Sequence, residues 1–130
     1  MSSNADIVRA ATEALERGDS LALMGLVSRD VRWTVAAADE TAAPWFGTYR
    51  GKRALVDMLA ALADVEFTEI TERAFVAQGD VVMVWLRIGL DAPTGRHVDM
   101  QEVQVWQLSD GKIVAVEVLT DTAAVAAAFA

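Results

Sequence analysis

Apolar residues return along this chain with two different periods, and the change from one to the other divides it. Ile7, Ala11, Ala14 and Leu15 fall three to four apart, which predicts an amphipathic helix. Ser3 or Asn4 can cap its start, Asp6 sits in its first turn, and Gly18 follows its end. Asp19 can cap a short second helix that carries Leu23, Leu26 and Val27. Val31, Trp33 and Val35 then alternate with Arg32 and Thr34, as on a strand. A loop is expected over residues 36–50, with Pro44 and Gly47. After Gly51, the spacing of Leu55, Met58, Leu59 and Leu62 predicts a third helix.

From residue 65 onward the period becomes two. Strands are expected over residues 65–77, 81–90, 97–108 and 112–120. The first has blurred alternation near Ile70, where a bulge fits. Asp110-Gly111 is a tight hairpin turn, and Asp121-Thr122 caps a last, alanine-rich helix that runs towards Phe129. The predicted order is ααβαββββα, an α+β fold in which a strongly bent, mostly antiparallel sheet packs helices on its concave side. Such a cone has one natural cavity, at its mouth.

Composition narrows the function classes. Of the 130 residues, 54% are hydrophobic, an excess that a core, a pocket and a subunit interface would absorb. Acidic residues outnumber basic ones 19 to 11, for a net charge of -8. No basic patch is visible, which argues against nucleic acid and anionic membranes as partners. With no cysteine and one histidine, thiol chemistry is excluded and a metal site is not expected; no cofactor is expected either. Residues 1–6 lack the basic and apolar runs of a leader, and no long apolar stretch is present, so the expected setting is cytoplasmic.

Several segments together resemble a known family: "ALERGD", "DVRW", "FGTYRGKRAL", "VAQGDVVMV", "PTGR" and "LSDGKIVAVEVLTDTAAV". They are similar to the SnoaL-like branch, which includes polyketide cyclases, of the NTF2-like superfamily. That branch is in turn similar to ketosteroid isomerases and limonene-epoxide hydrolases. The resemblance implies one cone-shaped domain over residues 1–130, frequent dimerisation through the outer sheet face, and a pocket for small apolar molecules. The hydrolases' Asp-Arg-Asp set would fall on Arg87, Trp85 and Val118, with Trp33 and Val35 replacing their water-holding pair. The implied fold carries over, and that triad does not.

With the register taken from these motifs, Met83, Trp85, Arg87 and Gly89 face inward, beside Met100, Glu102, Gln104 and Trp106 on the next strand. Val116, Val118 and Thr120, with Trp33 and Val35, complete the inner face. Charged and amide groups are costly on a plain core face, so Glu102, Arg87 and Gln104 form the candidate catalytic set, with Glu102 as general acid or base. Burial would raise its pKa and Arg87 would lower it, leaving the net direction open. The same residues could instead be an ion pair that stiffens the sheet, or, in the opposite register, part of a dimer face.

Trp33, Val35, Trp45, Phe46, Tyr49, Trp85, Met100, Trp106 and Val118 are the candidate substrate-binding residues. The tryptophans would form an aromatic wall or ordinary core. Trp45-Phe46 would be a lid or a loop anchor, and Tyr49 would either donate to a ligand carbonyl or pack. His97 reads as a surface residue and Asp121 as a cap; Asp39 and Glu40 read as loop charges. Two functions fit: cofactor-free acid–base isomerisation or cyclisation of a small apolar, oxygenated, polyketide- or terpenoid-like molecule, or a non-catalytic ligand-binding or dimeric interaction module. A homodimer is expected because Ile88, Val103, Val105 and Leu119 would lie on the outer face.

Overall fold

The computed structural model describes residues 3–130; Met1 and Ser2, where the stretch read for a leader begins, lie outside them. Helix α1 (Asn4–Arg17) starts in a reciprocal cap. The Ser3 hydroxyl accepts from the Asp6 amide at 3.1 Å, and the Ser3 amide donates to the Asp6 carboxylate at 3.3 Å. Gly18, at φ 67, ends the helix in the left-handed conformation that favours glycine. Asp19 then caps α2 (Ser20–Met24) through the Ala22 amide at 3.0 Å.

The second helix is shorter than expected. Leu26 and Val27 lie beyond it, and Val27 opens β1 (Val27–Val35), where it pairs with Ile113. The expected loop over residues 36–50 also ends in a strand, β2 (Gly47–Arg50), which pairs antiparallel with β1 and sets Tyr49 opposite Trp33. It is followed by α3 (Gly51–Leu62), β3 (Glu66–Gln78), β4 (Val81–Asp91), β5 (His97–Ser109), β6 (Lys112–Leu119) and α4 (Thr122–Phe129). The observed order is therefore ααββαββββα.

The six strands form one sheet in the order β2-β1-β6-β5-β4-β3. Among the described residues, only β1 and β6 pair in parallel; every other neighbouring pair is antiparallel. Register shifts fall on both sides of Ile70, where the sequence alternation blurs. At the β5–β6 turn, Asp110 and Gly111 both have positive φ, 50 and 75, as a tight hairpin of matching twist requires.

The concave face carries the core. Helix α1 buries Ile7, Val8, Ala11 and Ala14, α3 buries Leu55 and Met58, and α4 buries Val125 and Ala128. Asp121 caps α4 by accepting from the Ala124 amide at 3.0 Å. The other end of α4 is held by the turn between β4 and β5: Thr94 donates to the Ala128 carbonyl at 2.5 Å, and Arg96 to Ala127 at 2.7 Å. Replacing Asp121 by Ala is expected to cost about 1 kcal/mol, measured as a lower midpoint in urea unfolding.

Candidate functional site

Strand phase decides what the concave face offers. On β5, Met100, Gln104 and Trp106 are buried, and Glu102 is half-buried on the same side. On β4 the buried residues are Val82, Val84, Leu86, Ile88, Gly89 and Leu90, while Met83, Trp85 and Arg87 are exposed. The inward set expected for β4 is thus corrected by one residue. Asp91 pairs with His97, which leaves a five-residue connection, 92–96, and puts Leu86 opposite Glu102. A one-residue difference in turn length exchanges the two faces of a strand.

The correction removes two candidate site residues from the cavity side. Arg87 stands on the convex face, 3.5 Å from the Glu69 carboxylate. Trp85 is there too, donating to the Gln101 side chain at 2.6 Å, with the Arg73 guanidinium 5.0 Å over its ring. Ile88, expected outside, is buried inside. The β4 side chains turned inward are all aliphatic, so no part of an Asp-Arg-Asp set stands on that strand.

Between the sheet and the helices lies a cavity of about 630 Å³. Its deep wall is formed by Trp33, Val35, Trp45, Val84, Leu86, Ile88, Met100, Val118, Glu102 and Gln104. Its mouth lies between the α1–α2 corner, the end of α3 and the first half of β3, with Leu15, Leu62, Phe67 and Ile70 as apolar rim. The sequence reading missed these rim residues because helix and strand patterns show which face is buried, not which buried face meets empty space. The charges at the mouth are largely paired. Arg17 lies 3.5 Å from Asp19, and Glu72 is 2.6 Å from Arg9.

The remaining candidates separate into wall and backing. Trp45 lines the cavity, packed edge-on against Phe46 at 5.6 Å and Phe129 at 5.1 Å. Phe46 itself is buried behind it, and Tyr49 is half-buried beside Trp33, away from the cavity. Burial, with Glu40 and Asp57 nearby, holds the Tyr49 phenol above its ordinary pKa. Trp106 is 0% exposed, in T-shaped contact with Trp33 at 5.2 Å.

Trp106, Gln104 and Glu102 form a hydrogen-bonded row along β5. The Trp106 indole N–H donates to Gln104 Oε1 at 3.1 Å, and Gln104 Nε2 donates to Glu102 Oε2 at 2.7 Å. An indole nitrogen can only donate, so the Gln104 amide has one sensible orientation, with its NH2 towards the carboxyl. Glu102 opens onto the cavity and is surrounded by protein elsewhere. Loss of solvent raises its pKa above the ordinary carboxylate value, and the Gln104 hydrogen bond opposes this more weakly. With Arg87 outside, no cation among the described residues offsets the burial.

His97 is exposed at the sheet's far corner, 2.6 Å from Asp91 and 3.0 Å from Asp99. These hydrogen bonds, Asp91 first, raise its pKa above 6.5. Among the described residues, no helix is long and apolar enough to cross a membrane.

The fold is shared with proteins of known structure. An NTF2-like protein from Burkholderia thailandensis is 30% identical to this chain, with a TM-score of 0.85 and coverage of 100% of this chain and 99% of that one. An NTF2-like protein of unknown function from Burkholderia pseudomallei is 25% identical, with a TM-score of 0.88 over 99% and 98% of the two chains. TerC, crystallised with polyporic acid, is 22% identical with a TM-score of 0.86 over 98% of each chain, a likeness of fold alone. No curated protein matches this chain. Residues 8–116 match the SnoaL-like domain, and the chain belongs to that family.

Proposed function

We propose that the cavity carries out cofactor-free acid–base chemistry, isomerisation or cyclisation, on a small apolar, oxygenated molecule of polyketide or terpenoid type. The observation that carries this reading is Glu102: a carboxyl with raised pKa, facing an apolar cavity and held in one orientation by the Gln104 amide. In its protonated form it donates to a ligand oxygen; as carboxylate it removes a proton from a carbon next to a carbonyl. The second N–H of the Gln104 amide is free to face the oxygen where negative charge develops. Trp33, Val35, Trp45, Met100 and Val118 exclude water around it. The co-crystallisation of TerC, which shares the fold, with polyporic acid supports a small organic ligand.

A second reading is a carrier that holds the same ligand without changing it. It is favoured by the position of Arg87 outside the cavity, which leaves the Gln104 amide as the one side chain that donates to the carboxyl among the described residues. Solvent deuterium exchange separates the two. Cyclic ketones such as indanone are expected to exchange protons next to the carbonyl in the presence of the wild type and not of Glu102→Gln. Binding without exchange in either protein supports the carrier.

We also infer a homodimer formed through the convex sheet face. Two cross-strand rows lie there, Val76–Met83–Val105 and Trp85–Val103–Leu119. Met83 is 48% exposed, Trp85 40% and Leu119 44%, more apolar surface than an unpartnered sheet usually shows. Sedimentation is expected to give twice the 14.0 kDa chain mass, and Trp85→Glu is expected to give the single chain. A wild-type monomer at micromolar concentration would overturn the inference.

A further inference from the structure

The buried side-chain oxygen of Thr120 has no hydrogen-bond partner among the described residues. Burying a hydroxyl without a partner costs free energy, and a valine of the same shape would avoid that cost. The position of Thr120 suggests why a hydroxyl stands there. Val103 pairs with Leu119 and Gln104 with Val118 at the end of the β5–β6 ladder; Thr120 follows β6 directly, and continuing the same register brings it level with Glu102. Val118, two residues earlier on the same side, already lines the cavity.

We propose that Thr120 is a positioning residue for Glu102, whose hydroxyl turns to donate to the carboxylate once the acid has given up its proton. The inference rests on the reading of Glu102 as the proton-moving group.

The surroundings leave that task to a neutral donor. Across Leu86 on the same face stands Glu72, tied to Arg9, and from the helix corner come Glu16, Arg17 and Asp19, the last two paired with each other. Arg87 is on the other side of the sheet. Glu102 therefore has one fixed donor, Gln104, for a carboxylate that can accept several hydrogen bonds. Rotation of the Thr120 side chain adds a second donor without bringing a permanent charge into the cavity.

The test follows the Glu102 side-chain carboxyl by carbon-13 NMR through a pH titration of the ligand-free protein. In Thr120→Val the midpoint is expected to move up by about one pH unit relative to the wild type, the size of one hydrogen bond to a charged group. Thr120→Ser, which keeps the hydroxyl, is expected to restore the wild-type midpoint. Thr120→Ala supplies a second hydroxyl-free variant should Val fail to fold. An unmoved midpoint in Val and Ala, or a Ser variant that behaves like them, overturns the role of Thr120. A purely structural hydroxyl would alter the unfolding temperature and leave the midpoint in place. A wild-type midpoint at the ordinary carboxylate value would instead overturn the reading of Glu102 itself, so the two failures are distinguishable.

Discussion

Glu102→Gln is expected to lower proton-transfer turnover by about 10²- to 10⁴-fold while leaving ligand affinity within about tenfold. Gln keeps the shape of Glu and its capacity to accept from Gln104, but it can neither release nor take up a proton at working pH. A change confined to affinity would show that the carboxyl only binds. The same substitution has a second, independent readout in stability. The folded-state pKa of Glu102 lies above its ordinary value of 4.5. Its stabilising contribution is therefore complete below that value and is lost as pH rises through the folded pKa, because the unfolded chain ionises first. Wild type should thus lose stability relative to Glu102→Gln on going from acid to neutral pH, as measured by urea unfolding at a series of pH values. His97, also raised, adds a similar decline that begins near 6.5 and is common to both proteins, so it cancels in the difference.

Trp106→Ala is expected to destabilise the fold by about 3–5 kcal/mol, the cost of removing a large, fully buried aromatic side chain. Trp106 is 0% exposed and packs edge-on against Trp33, so the void would open directly behind the cavity wall. Trp106→Phe isolates the indole N–H. It keeps most of the packing but leaves Gln104 Oε1 without its donor, at a cost of about 1–3 kcal/mol. The Gln104 amide then loses the contact that fixes its orientation towards Glu102. Urea unfolding should rank the proteins wild type, Phe, Ala in falling stability. Turnover should drop in the Phe variant by more than its stability explains. A Phe variant with wild-type turnover would show that the row along β5 does not orient the carboxyl.

Caps and turns gave the sequence its clearest structural information because their chemistry is local. Ser3, Gly18, Asp19, Asp110-Gly111 and Asp121 each act within a few residues, and each sits where the pattern puts it. Strand β2 was hidden for the opposite reason. Four residues, Gly47–Arg50, are too few to show a period, and they are extended only because β1 lies beside them. The phase of β4 could be read, but in a different place. Val82, Val84, Leu86, Ile88 and Leu90 are all aliphatic, whereas the alternate positions include Arg87 and Gly89. That local alternation is a stronger guide to the inner face than a register taken from the turn motif, because one residue of loop length reverses the outcome. On β5 the polar row of Glu102 and Gln104 stood out because it interrupts an otherwise apolar face. The raised pKa of Glu102 followed only once Arg87 was placed outside.

The pairing of β1 with β6 has a consequence for how the chain assembles. Strands β3 to β6 are successive neighbours that can zip together through short connections, whereas Trp33 must find Val116 across most of the chain. Closing so large a loop is entropically slow compared with forming a hairpin. The hollow therefore becomes whole only when this distant contact forms, and a molecule that fits inside it will favour the finished protein over every partly assembled form.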